Sequence, residues 1–151
     1  MRFAYGRYEV EPTPSQPGAA IIYRPVIPIR VIGFGADAVF YGLLDTGADE
    51  TLLTEEMAEL VGMEVDASRT AIVTSASGEM SVSYGDVTLE VGRGRARYRW
   101  RTTAGVVKQP WREAILGHMG FLRYFDVTFF GETREVRLTR NAMPLPEPIG
   151  V

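Results

Sequence analysis

Residues 54–62 carry the clearest helix signals in this sequence, and nearly every other apolar run is short, rich in β-branched residues and closed by glycine or proline. Thr54 stands where a hydroxyl can cap a first turn, with Glu55 and Glu56 at the positive end of the helix. Met57, Leu60 and Val61 fall on one face, and Gly62 ends it. Outside that segment the pattern is β. Residues 19–31 are apolar but hold Pro25 and Pro28, which lack the N–H of a ladder and predict an edge or bulged strand. Residues 38–44 form a strand that runs into a short polar turn at 45–49. Further on, strands at 71–74, 80–84 and 87–91 are expected, the first two joined by a turn at 75–78. Residues 114–116 read as a short buried strand, 117–124 as a short second helix, and 125–130 with 135–139 as a closing hairpin. The fold class is therefore all-β with one or two short helices. Three prolines and a glycine in 11–18 mark a linker behind an N-terminal arm, so the chain divides into 1–18, a body at 19–141 and a tail at 142–151.

A chain of 151 residues makes one ordinary domain and is too small for two lobes with a cleft between them, so a site that needs two lobes must borrow the second. The absence of cysteine removes disulfides, thiolate zinc sites and cysteine nucleophiles, and a single histidine, His118, removes multi-histidine metal clusters. No metal or organic cofactor is expected. No apolar run approaches the roughly 20 residues of a membrane helix, and the first residues lack the form of a secretory signal, so a cytoplasmic location and no membrane partner are expected. Arg93, Arg95, Arg97, Arg99 and Arg101 alternate along one stretch. At a net charge of −3 they read as a solvated strand face rather than a nucleic-acid surface.

Chemistry concentrates at Asp45-Thr46-Gly47. A carboxylate at the end of an apolar strand, in a tight turn with many N–H donors, is held rigidly and partly desolvated, as an acid or base must be. The stretch Leu43-Leu44-Asp45-Thr46-Gly47-Ala48-Asp49-Glu50-Thr51 resembles the active-site loop of the retropepsin-like, retroviral-type aspartic proteases. Upstream, Tyr23-Arg24-Pro25-Val26-Ile27-Pro28-Ile29 is similar to the segment that precedes that loop, and Ile115-Leu116-Gly117 to the apolar-apolar-Gly element that packs behind it. The resemblance spans about residues 19–139, and helix 54–61 and the final hairpin are closer to cellular and bacterial members. It implies a closed β domain active as a two-fold homodimer: an endopeptidase acting on extended polypeptide, in which one Asp45 from each subunit shares a proton and activates a water. The alternative class is a silent dimeric β module that binds peptides or protein partners without cutting them.

Each residue singled out also has a plainer reading. Asp45 caps its own turn, or is catalytic. Thr46 is a turn residue, or by resemblance bonds across the dimer axis. Gly47 is there because a side chain would crowd the turn or the water. Ala48, Asp49 and Glu50 are expected at substrate, with Asp49 either a solvated charge or paired with Arg24 of a partner loop. Ser75, Ala76, Ser77 and Gly78 lie where the family has its flap, and otherwise form a plain hairpin. His118 stands where the viral enzymes carry a bracing arginine, and otherwise begins the second helix without a special role. Trp100 and Trp111 read as core or contact aromatics.

Overall fold

The computed structural model describes residues 1–18, 20–75 and 78–149. Its main sheet has seven strands in the spatial order β4 (Val26–Ile32), β5 (Asp37–Leu44), β10 (Ala114–Leu116), β6 (Leu52–Thr54), β9 (Ala96–Val107), β8 (Gly78–Arg93) and β7 (Val65–Ser75). A further pairing of Arg30, Val31 and Ile32 with Glu90, Leu89 and Thr88 joins β4 back to β8 and curls the sheet toward closure. Alternation supplies the core: Ile27, Ile29 and Val31 of β4, and Val87, Leu89 and Val91 of β8, all point inward and are buried. At its centre the fully buried Trp100 packs against Phe121, Tyr124 and Phe125, and its indole N–H donates to the Gly120 carbonyl at 2.8 Å.

The prolines act as their chemistry requires, with one correction. β3 (Ile21–Arg24) ends before Pro25, and Pro28 sits in the half of β4 that is paired with β5 alone. From Arg30 onward β4 is paired on both sides, so it is an edge strand only in its first half. β2 (Gly6–Glu9) pairs with β3 as a two-stranded hairpin. β1 (Arg2–Ala4) instead joins β12 (Glu135–Arg140) and β11 (Phe125–Phe130) in a three-stranded sheet, so the first residues belong to the body.

The helix α1 (Glu55–Leu60) starts as expected, with the Thr54 hydroxyl accepting from the Met57 N–H at 3.2 Å and Gly62 following at φ +64°. Its buried face differs from the expected one. Met57, Ala58 and Val61 are buried, whereas Leu60 is 60% exposed, because a stripe through 57, 58 and 61 turns position 60 outward. The second helix is a single 3₁₀ turn, Leu122–Tyr124.

Two expected strands, 80–84 and 87–91, are one. β8 runs through Gly85 and Asp86 because a Cβ at 85 would meet the Glu64 carbonyl at 2.3 Å, a close approach only glycine allows, and Asp86 is paired with Arg101 and Arg69 and accepts from the Thr103 hydroxyl. Of the alternating arginines, Arg99 and Arg101 are paired with carboxylates, while Arg93, Arg95 and Arg97 are exposed. Arg99 binds Glu90 at 2.6 Å, and Arg30 binds both Asp37 at 2.6 Å and Glu90 at 3.8 Å. Among the described residues, no helix is long and apolar enough to cross a membrane.

Candidate active site

β10 lies between β5 and β6, parallel to the first (Ile115 opposite Leu43) and antiparallel to the second (Ile115 opposite Leu52). The chain therefore leaves β5 at Leu44, passes over the end of β10 and re-enters the sheet on the other side. Residues 45–51 are that crossover, and hydrogen bonds to the last residue of β10 and to the residues just after it hold it. The Asp45 N–H donates to Leu116 O (3.2 Å), His118 N–H to Ala48 O (3.0 Å) and Met119 N–H to Asp49 O (2.7 Å), while the Thr51 hydroxyl donates to Met119 O (2.9 Å). Gly117 makes the contact possible: a Cβ there would stand 2.2 Å from the Glu50 carbonyl oxygen and 2.8 Å from that of Ala48.

The Asp45 carboxylate sits at the start of this crossover. Gly47 N–H donates to Asp45 Oδ1 at 2.9 Å, and a Cβ on Gly47 would come within 3.3 Å of the same oxygen. The glycine thus serves as a donor with no side chain to crowd the carboxylate. Leu44 is buried in the main core, so Leu43 and Asp45 point to the other face of the sheet. On that face Leu52, Val82 and Val107 form a second apolar cluster with Ile115 and Trp111 packed against it. A carboxylate with one oxygen anchored in this way can exchange a proton with water.

The other expected residues divide into those the fold brings to Asp45 and those it does not. His118 Nε2 lies 3.1 Å from the Thr46 carbonyl; a carbonyl only accepts, so Nε2 carries the proton in this contact. The histidine thus meets the loop at Thr46, and not at Asp49. Among the described residues no hydrogen bond or ion pair engages the Asp49 carboxylate or the Thr46 hydroxyl. Arg24 lies over the Tyr8 ring, 4.9 Å from its centre. Ser75 pairs with Gly78 to close the β7–β8 hairpin, its hydroxyl donating to the Gly78 carbonyl at 2.9 Å. Ala76 and Ser77 lie outside the described residues.

The family profile described as aspartyl protease matches residues 28–117, which takes in the crossover, the hairpin and the Gly117 element. The chain belongs to the aspartyl protease family. Among solved structures this family member is similar to EIAV protease complexed with an inhibitor, at 22% identity and a TM-score of 0.48, over 63% of this chain and 82% of that one. It is also similar to a retropepsin-like aspartic protease from Rickettsia conorii, at 20% identity and a TM-score of 0.44, over 87% and 97%. No match was found among curated proteins.

One residue that contacts this crossover escaped the sequence reading. Tyr84, where β8 leaves the hairpin and enters the main sheet, donates its phenol to Glu50 Oε2 at 2.7 Å and so ties the hairpin root to the crossover. The alternation of Met80, Val82 and Tyr84 places it on an apolar face, where a phenol needs a partner. Which partner is invisible at a separation of 34 residues. Burial, then the Glu50 carboxylate, push the Tyr84 phenol up to about 12. A raised folded value stabilises fully below the ordinary phenol value of about 10 and is lost as pH rises through about 12. Tyr84→Phe should therefore cost on the order of 1 kcal/mol at pH 7, and less at pH 11. Urea unfolding at both pH values checks this; equal stabilities at pH 7, or a difference that grows with pH, would contradict it.

Proposed function

We propose that the chain is an aspartic endopeptidase, active as a two-fold homodimer in which the Asp45 carboxylates of two copies form one dyad. The observation that carries this reading is the Asp45 carboxylate itself, anchored through Oδ1 by Gly47 N–H on an apolar-floored face, in a chain with one Asp-Thr-Gly. Two adjacent carboxylates hold one proton between them and bind a water. The charged member takes a proton from that water as it attacks the peptide carbonyl, and the protonated member donates to the carbonyl oxygen. The resulting tetrahedral species collapses as the amide nitrogen is protonated and leaves, with no covalent enzyme intermediate.

In this reading the β7–β8 hairpin closes over the substrate as a flap, and residues 48–50 receive its backbone as an added strand. The second apolar cluster favours apolar side chains beside the cut. Thr46 bonds across the dimer axis, Arg24 reaches the partner's crossover near Asp49, and His118 braces the crossover from behind. The test is incubation with an unfolded protein between about pH 4 and pH 7, with and without a statine-type transition-state analogue. Cleavage that the analogue blocks is the expected result. Intact substrate throughout, at protein concentrations that hold a dimer, would sink the reading.

A further inference from the structure

Along the β8–β9 ladder the carboxylates run out toward the turn. Arg101 is paired with Asp86 and Arg99 with Glu90, but further along Arg97 stands opposite Gly92 and Arg93 opposite Ala96, and Arg95 lies in the turn itself. Arg93, Arg95 and Arg97 are exposed, and among the described residues none of them makes an ion pair or a side-chain hydrogen bond. Unanswered positive charge is thus concentrated in residues 93–97 of a chain whose net charge is −3.

The same tip has an open strand edge. Alternate residues of β9 turn their N–H and C=O groups away from β8, and two hydrogen bonds show which ones: Gly105 N–H donates to the Thr51 carbonyl at 3.0 Å, and Arg101 N–H to the Pro146 carbonyl at 3.3 Å. Arg99 and Arg97 fall in that same alternation. Among the described residues no third strand and no other backbone group meets them, because β6 pairs only with Gly105, Val106 and Val107.

We propose that this tip is a docking site for an acidic, extended stretch of polypeptide. The stretch lies along β9 at Arg97 and Arg99 as an added strand and sets its carboxylates against Arg93, Arg95 and Arg97. The tip and the β7–β8 hairpin are at opposite ends of the 16-residue β8, so this site is separate from the Asp45 crossover and does not depend on the endopeptidase reading. A guanidinium group offers a planar fork of donors that fits a carboxylate. The open edge is what favours polypeptide over other polyanions, since a nucleic acid or a lipid headgroup has phosphates for the arginines but no main chain for the strand. Residues 92–97 are glycine, alanine and arginine, with no aromatic ring to stack on a base and no large apolar side chain to enter a bilayer.

The test is fluorescence anisotropy at low salt with a short labelled peptide of alternating Glu and Thr, its Gln-for-Glu counterpart, and the Glu peptide methylated on alternate backbone nitrogens. Wild type should bind the Glu peptide roughly tenfold or more tighter than the Gln peptide, and methylation should weaken binding by about fivefold or more although the charge is unchanged. The triple variant Arg93→Gln, Arg95→Gln, Arg97→Gln, with its fold checked by circular dichroism, should bind the Glu and Gln peptides alike. Equal wild-type affinity for those two peptides, a preference that survives in the triple variant, or full affinity for the methylated peptide would overturn the proposal. So would a short single-stranded oligonucleotide or a phosphatidylserine vesicle that bound more tightly than the Glu peptide and lost that binding in the triple variant, which would assign the tip to a phosphate ligand.

Discussion

Asp45→Asn should abolish peptide hydrolysis while leaving the fold and the dimer in place. The structural part of the carboxylate's work is to accept the Gly47 N–H at Oδ1, and an amide oxygen can accept that bond too, though more weakly. The chemical part cannot be replaced, because an amide neither takes a proton from water nor delivers one to a carbonyl oxygen. Since a dimer of the variant lacks acid and base together, the rate should fall by roughly 10³-fold or more. Initial rates on a peptide substrate measure the loss, with circular dichroism and size-exclusion chromatography reporting fold and assembly. A purified variant that still cleaved at the wild-type rate would place the chemistry elsewhere in the molecule.

Gly117→Ala is the second large effect expected, and it acts through the crossover rather than on the carboxylate. The added methyl group would stand 2.2 Å from the Glu50 oxygen, 2.7 Å from its carbonyl carbon and 2.8 Å from the Ala48 oxygen. These are backbone atoms of a segment pinned by His118 and Met119, so no flexible side chain can yield. Relief requires the crossover to lift away from β10, at a cost of about 1–3 kcal/mol. Because Asp45 opens the same crossover, its carboxylate would shift with it, and a displacement of about 1 Å is enough to cost roughly 100-fold in rate. Thermal unfolding together with kcat/KM should show both losses. Full activity with an unchanged Tm would mean that Gly117 is not the support of the crossover.

The parts of this molecule that were legible in its sequence are those set by local chemistry. Thr54, Glu55 and Glu56 mark a helix start through a cap and a dipole, and the structure has both. Pro25 breaks the chain between β3 and β4 because it has no N–H to donate. The turn chemistry at Asp45 and Gly47 indicated an anchored carboxylate, and the hydrogen bond is there. Readings failed where a distant partner decides the outcome. Leu60 faces outward because the sheet meets α1 along Met57, Ala58 and Val61, a choice made by packing and not by helical period. β8 passes through Gly85 and Asp86 because Glu64 crowds the first and Arg101 neutralises the second, and neither neighbour is close in sequence. Tyr84 and Glu50 meet only after β8, β9 and the crossover have assembled, so nothing local announces the bond.

On the proposed homodimeric reading, one chain holds half a site. Specific activity measured over a dilution series, with sedimentation equilibrium on the same samples, tests it most directly, because dissociation removes acid and base roles together. The account predicts that activity per chain falls in proportion to the dimer fraction and approaches zero in the monomer. Constant specific activity in a sample shown to be monomeric would contradict it.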